Sequence, residues 1–291
     1  MYTNNYLSSP ITTPKLLFIP KGSTKSTIAY FKKNGIDLHW FDYYLIKREG
    51  YPQAGWINIG VTEISRKDFF QKVTHAKAAL QKVTLIPGET TIVFFETIAK
   101  KLDLNVTKLQ NTFDTLSPFK EGVIFAETYS VPRGIKEKEL VEYLVKISLK
   151  EHQKISQKYL HHYHDRQWFQ KVISKASIIQ KEAASVAEMP IVSAVIENRL
   201  KKNMKLQMDG TLNYGRFSHV RVTAKKIRED NSLYNTYKHA GLPPIPVCAV
   251  SKSAIKAAIF PDKVNFLYFV KGKNGKHIFT KTYKEHLKNI K

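Results

Sequence analysis

The sequence predicts an α+β chain, with small strand–helix–helix–strand modules followed by a mixed α/β domain whose key acid sits on a helix. Three observations lead there. A turn motif occurs twice: Phe18-Ile19-Pro20-Lys21-Gly22-Ser23-Thr24 is matched by Leu85-Ile86-Pro87-Gly88-Glu89-Thr90-Thr91. Each copy follows a short apolar run and precedes a helical pattern. Residues 135–160 read as one long helix. Beyond it the texture changes to two helical patterns, 168–188 and 190–202, and then to loops, turns and short strands.

The elements follow in order. Ser23 or Thr24 can cap a helix that runs to about Lys33, where Asn34-Gly35 stops it. A second helix is expected from about Asp37 to Lys47, and Ala54-Gly55-Trp56-Ile57-Asn58-Ile59 reads as a strand. Ser65-Arg66-Lys67-Asp68 has the form of a capping box and starts a short helix. The second copy repeats the plan: strand Val83–Ile86, helix Thr90–Lys101, a helix capped by Asn105 and reaching Leu116, and a closing strand Gly122–Phe125. Common Pro/Gly turn chemistry also generates matches of this kind. In the long helix, Leu140, Tyr143, Leu144, Ile147 and Leu149 supply the expected apolar face, with lysines opposite. Pro190 suits the first turn of its helix. Phe266–Val270, the turn Gly272-Lys273-Asn274-Gly275 and His277–Phe279 read as paired strands, followed by a short basic helix.

This gives a tether over 1–14, a region of two related modules over 15–131, a connecting helix over 132–165 and a mixed α/β domain over 166–291. The tether is expected from the Ser/Thr/Pro/Asn-rich start, which has no apolar region of the kind a secretory signal carries.

Composition bounds the function. The chain has 291 residues, 43% hydrophobic and 24% charged, which excludes a disordered or collagen-like chain. Lys+Arg is 47 against 24 Asp+Glu, a formal net charge of +23. That excess favours a polyanionic neighbourhood: nucleic acid, an anionic membrane surface or an acidic polymer. The lysines are spread out, and no recognised nucleic-acid motif occurs. One cysteine, Cys248, excludes an intrachain disulfide framework and a multi-Cys zinc site. It reads as a packing residue. No stretch reaches the roughly 18 apolar residues needed to span a bilayer. His161-His162-Tyr163-His164-Asp165 sits where a helix ends and reads as solvated rather than metal-binding. No nucleotide-binding fingerprint is present.

Glu182 is the first candidate for chemistry. Val172, Ile179, Ala183 and Val186 form an apolar face at helical spacing, and Glu182 falls on it. A carboxylate there is costly to ionise, so burial raises its pKa to ~6, which suits a general acid. A salt bridge to a Lys or Arg at the core edge fits the same position. Gln207, Asp209, Thr211 and Asn213 form a polar row if their segment is extended, flanked by glycines, as a groove for hydroxyls and amides would be. A turn fits there too. Tyr234-Asn235-Thr236-Tyr237 and Gly241-Leu242-Pro243-Pro244 form a polar-aromatic loop of the type that holds sugar rings, or simply packs.

In the second half, Ala176-Ser177-Ile178-Ile179-Gln180-Lys181-Glu182 resembles the ASIVEKE signature of the YceG-like (MltG) endolytic murein transglycosylases. Further matches follow in that family's order: Asn198-Arg199-Leu200, Met204 through Thr211, Tyr234–Tyr237, Gly241–Pro244 and Leu267–Val270, with His277 and Phe279 near the end. Upstream, Glu121 through Tyr129 is similar to LEGYLFPDTY, and the repeated modules resemble the family's LysM-like region. The resemblance covers roughly residues 15–291. Two departures stand out. The first glutamate of E-K-E is Gln180 here, which leaves Glu182 as the acid. The usual Q-T-D-P-T is Gln207-Met208-Asp209-Gly210-Thr211, with glycine in place of proline.

The resemblance implies cleavage of the β-1,4 bond between N-acetylmuramic acid and N-acetylglucosamine within peptidoglycan strands, leaving 1,6-anhydro-N-acetylmuramic acid ends. It implies Glu182 as single general acid and base, and Gln207, Asp209, Thr211, Asn235 and Tyr237 as substrate-binding residues. It implies no metal and no organic cofactor. The implied partners are glycan strands and peptidoglycan synthases, with no nucleic acid. The family usually carries an N-terminal transmembrane helix, which this sequence lacks. The implied location is the inner (cytoplasmic) membrane, with the catalytic domain facing the periplasm. A non-catalytic wall-binding protein is the rival reading.

Overall fold

A computed structural model describes residues 2–290. Met1 and Lys291, the ends of the expected tether and of the last expected domain, lie outside the described residues. The chain forms two units. One comprises residues up to 83 together with 130–136, and the other comprises 84–129 and 137 onward.

The first unit begins with helix α1 (Tyr2–Ser8) and strand β1 (Pro10–Thr12). A βααβ module follows: β2 (Leu16–Ile19), α2 (Thr24–Lys33), α3 (Asp42–Glu49) and β3 (Gly55–Asn58). Then come β4 (Glu63–Ser65), α4 (Arg66–His75) and β5 (Leu80–Thr84). β2 pairs antiparallel with β3, Leu16 opposite Asn58 and Ile19 opposite Gly55. β1 pairs with β4, Ile11 opposite Ile64. Residues 2–14 are therefore part of the fold rather than a tether: Ile11 is buried, and the Arg66 N–H donates to the Ser9 carbonyl.

Caps set the helix ends. The Ser23 hydroxyl oxygen accepts from the Ser26 N–H, and that of Ser65 accepts from the Asp68 N–H, each supplying a helix N-terminus with a missing acceptor. The second helix starts at Asp42 rather than Asp37. The buried Asp42 carboxylate accepts the His39 N–H and the Tyr6 hydroxyl, holding 37–41 as a loop until the helix begins. Arg66, also buried, donates to Asp37 at 2.6 Å. Inside lie Leu17, Ile19, Phe31, Ile46, Ile57 and Phe69, the apolar sides of these short elements.

The second copy of the module is β5, α5 (Thr91–Leu102), α6 (Val106–Leu116) and β6 (Thr128–Pro132), with β5 and β6 paired. Its helices belong to the second unit, so the two related modules do not form one region spanning 15–131. Gly122–Phe125 is not the closing strand. It is buried, and helix α7 (Glu137–Leu160) satisfies its backbone instead: Ser148 Oγ accepts from the Phe125 N–H, and His152 Nε2 contacts the Val123 carbonyl at 3.1 Å. Trp168 Nε1 donates to His152 Nδ1, which leaves Nε2 as the donor to Val123. Burial pushes this imidazole down to about 4, so it stays neutral.

The long helix presents a different face from the expected one. Leu140 and Leu144 are buried, but with Val141, Val145, Ser148, His152 and Ile155, while Tyr143 and Ile147 are exposed. Two polar residues inside the stripe rotate it relative to the apolar count. The helix packs on α6, within the second unit.

A helical stretch follows: α8 (Asp165–Gln167), a π-helical turn over Trp168–Ile173, and α9 (Ser174–Glu182). Then come α10 (Met189–Lys201), with Pro190 in its first turn, α11 (Ala224–Glu229), α12 (Lys252–Ile259), β7 (Tyr268–Lys271), β8 (His277–Thr280) and α13 (Tyr283–Asn289). α9 packs against both α10 and α12. Small residues allow this: Ala176 and Ser177 are fully buried, Ser174 donates to the Pro243 carbonyl, and Ser177 accepts from the Val247 N–H. Cys248 packs beside them with its thiol pushed up by burial. β7 and β8 form the expected antiparallel hairpin, Tyr268 opposite Thr280.

Candidate active site

α9 ends on Glu182. Ala183 turns to extended backbone, so the carboxylate projects from the last turn of a buried helix. Of its expected apolar companions, Ile179 is buried but Val186 is exposed, because the helix stops before reaching it. The Glu182 Oε1 atom accepts the Gly210 N–H at 2.7 Å. A Cβ at 210 would lie 2.6 Å from Lys181 Cβ and 2.8 Å from Oε1, so glycine is what permits this approach.

Glu182 opens on a cleft of about 350 Å³ whose lining includes Arg199, Gln207, Asp209, Tyr237, Tyr268 and His286. Burial pushes the Glu182 carboxyl up to about 7. The Gly210 hydrogen bond and the Arg199 charge oppose that shift, and the Asp209 charge adds to it. The group is thus poised to give up and accept a proton near neutrality.

The polar row expected to be extended is folded instead. Gln207 takes a left-handed φ of 50°, and Asp209–Leu212 form a 3₁₀ turn. Gln207 and Asp209 reach the cleft. Thr211 does not: it is fully buried, donates to the Met208 carbonyl and contacts Thr236 Oγ1. Asn235 is likewise fully buried. Its amide donates to the Ile227 and Asp230 carbonyls, and its Oδ1 accepts the Tyr237 N–H. These two expected substrate-binding residues hold the loops that carry the others. Tyr237 closes the arrangement, its hydroxyl donating to Asp209 Oδ1 at 2.7 Å. Burial and this carboxylate raise the Tyr237 pKa, so the phenol keeps its proton.

Composition and spacing passed over Arg199, Tyr268 and His286. Buried Arg199 donates to the carbonyls of Leu206 and Leu267, each at 2.7 Å, and lies 5.1 Å over the Tyr268 ring. It joins α10, the 204–208 loop and β7 around one cation. Both Arg199 and Tyr268 fall in segments quoted above. The missing signal was burial, which makes a charged residue a structural centre. His286 stacks on Tyr268 with centroids 5.3 Å apart, and its Nδ1 is buried with no partner among the described residues. It sits three residues after Tyr283, which also lines the cleft, a helical spacing the sequence does display.

Two other motif residues are held elsewhere. Gln180 Oε1 accepts the Ser251 N–H at the start of α12. His277 Nδ1 lies 2.8 Å from Glu188 Oε2. Among the described residues no cluster of three or more His, Cys, Asp or Glu side chains could hold a metal ion.

Comparison with known proteins matches this geometry to a family. A model of the YceG-like family covers residues 17–291. The chain belongs to the YceG-like family. The match runs from β2 to the end of the chain and so includes both units. An endolytic murein transglycosylase of Bacillus subtilis (strain 168) is 33% identical over 300 residues, covering 93% of this chain and 82% of that protein. An endolytic murein transglycosylase of Streptococcus pneumoniae (serotype 2, strain D39) is 29% identical over 177 residues, and the match spans 31% of its length. A crystal structure of a yceG-like protein from Listeria monocytogenes superposes with a TM-score of 0.61 at 26% identity, over 97% of this chain and 99% of that one. Sequence and fold agree on the YceG-like assignment.

Proposed function

We propose that this protein is an endolytic murein lytic transglycosylase that cuts the β-1,4 bond between N-acetylmuramic acid and N-acetylglucosamine inside glycan strands. The observation that carries the reading is the place of Glu182: a carboxyl lining the cleft whose Oε1 accepts the Gly210 N–H, whose Oε2 has no partner among the described residues, and which burial pushes up to about 7. The Gly210 N–H needs a lone pair on Oε1, so the proton belongs on Oε2. Glu182 donates that proton to the glycosidic oxygen as the bond to C1 breaks. The same carboxylate then takes the proton of the muramyl C6 hydroxyl while that oxygen closes on C1. One carboxyl serves twice, and no water enters.

Asp209 is the second carboxylate lining the cleft. Fixed by Tyr237, it stabilises the positive charge that develops at C1. Glu127, another acid in the 121–129 segment, is exposed and pairs with Lys252 at 2.8 Å. Gln207 and Tyr268 supply hydrogen-bonding and ring surfaces for the sugars. The βααβ modules would hold the strand as LysM-like elements. The enzyme would act on the outer side of the cytoplasmic membrane, ending nascent strands beside peptidoglycan synthases.

Digestion of purified glycan strands in ¹⁸O-labelled water tests this reading. Mass spectrometry should find unlabelled anhydro ends, lighter by one water than a hydrolytic product. Label in the new ends would make the enzyme a hydrolase, with Asp209 activating water.

A further inference from the structure

The first unit carries an exposed cluster of rings that its core does not explain. Trp40 is 77% exposed and Tyr44 is 64% exposed. They contact each other edge to face, with centroids 6.4 Å apart, and Tyr43 packs against Tyr44 at 5.1 Å. The ammonium groups of Lys25 and Lys47 lie 5.6 Å and 5.8 Å from the Tyr43 ring centre. The residues that make up this unit contain 14 Lys and Arg against five Asp and Glu. Large rings left in water forfeit the free energy of burial, so a contiguous set of them marks a surface that meets something.

We infer that this cluster docks the first unit on an anionic lipid surface. Trp and Tyr prefer the boundary between hydrocarbon and water, where the ring is buried and the polar edge stays wet. Lysine stems cover apolar surface while their ammonium groups reach outward, here toward lipid phosphates. The positive excess supplies attraction to an anionic leaflet. A sugar platform has a different make-up, a ring face bordered by amides and carboxylates that fix hydroxyls. The ring and cation contacts of Trp40, Tyr43 and Tyr44 are with one another, with Phe41 and with Lys25 and Lys47, and Tyr43 anchors the set by packing against the unit's core.

Co-sedimentation of the full chain with vesicles tests the assignment. One set is phosphatidylcholine mixed with phosphatidylglycerol, and the other is phosphatidylcholine alone. The protein should pellet with the mixed vesicles and far less with the neutral ones. Trp40→Ala with Tyr44→Ala should weaken that binding by about tenfold, in line with the interfacial preference of two aromatic rings. Lys25→Glu with Lys47→Glu should remove the preference for phosphatidylglycerol. Both variants change exposed side chains, so thermal melting and cleavage of soluble glycan should match the unsubstituted protein. The proposal is overturned if the unsubstituted protein ignores the mixed vesicles, or if both variants bind them as it does. It is also overturned if the ring variant loses insoluble peptidoglycan while keeping the vesicles, which would make the cluster a sugar platform.

Discussion

Two glutamates in the second unit, Glu121 buried and Glu182 half-buried at a cleft, have the same titration behaviour in different surroundings. Burial pushes both Glu182 and Glu121 up to about 7. Glu121 spends both oxygens on the fold: Oε1 accepts the Thr91 hydroxyl and the Gly122 N–H, and Oε2 accepts the Thr91 N–H. It caps helix α5 from a distant loop. Glu182 accepts one N–H, and its second oxygen, at a cleft, has no partner among the described residues. A raised pKa therefore does not by itself mark an acid catalyst. In the proposed function, what sets Glu182 apart is a raised pKa together with a second oxygen that has no partner among the described residues.

Substitutions can break or sharpen that contrast. The largest effect belongs to Glu182→Gln, which is nearly isosteric. It should fold normally while turnover on glycan strands falls by ~10² or more, the range for loss of a general acid/base. Asp209→Asn should slow turnover by roughly tenfold, as loss of one charge stabilising the transition state would. It should leave the anhydro product unchanged and move the alkaline limb of kcat/KM to lower pH, because the Asp209 charge helps hold the Glu182 proton. Gly210→Ala would place a Cβ 2.8 Å from Glu182 Oε1 and force the Gly210 N–H away from the carboxylate. Losing that bond removes what favours the ionised form, so the limb should move the other way, to higher pH. Opposite displacements in these two pH profiles would be hard to obtain from general damage to the site.

The smallest effect on turnover belongs to Glu121→Gln, which should remain within a few-fold of the unsubstituted enzyme. Its cost is in stability, about 1–3 kcal/mol for a buried acceptor replaced by an amide, read from denaturant unfolding. The two carboxyls also set a pH dependence. With folded values near 7 and an ordinary value of 4.5, the folded protein holds protons that the unfolded chain has released. Stability therefore falls as pH rises from about 4.5 toward 7, and Glu121→Gln should flatten part of that slope.

Much of this was legible in the sequence where the signal is local. The cap at Asn105 and the β7–β8 turn need only neighbouring residues and appear as read; of the two expected candidates Ser23 caps its helix, and Ser65 caps its own without the reciprocal Asp68 bond of a capping box. Glu182 was legible as a candidate, although of the four apolar companions expected around it only Ile179 is buried. What escaped was decided by distant partners. Gly122–Phe125 has the composition of a strand, but Ser148 and His152 of α7 take its hydrogen bonds. Thr211 and Asn235 look like groove residues, yet their donors are spent on carbonyls inside the loops. Arg199 gains its place by bonding to backbone 68 residues away at Leu267, which no local pattern displays. The glycine at 210 was visible only as a departure from a motif. The structure gives it a physical content, a close backbone approach with an N–H aimed at the acid.

The most direct measurement is the pH profile of kcat/KM on purified glycan strands, taken side by side for the unsubstituted enzyme and Glu121→Gln. Glu182 must be protonated to act, so both profiles should fall above about pH 7 with the same limb. A limb that disappears or moves in Glu121→Gln, while circular dichroism shows the variant folded, would assign the working proton to Glu121 and contradict the account.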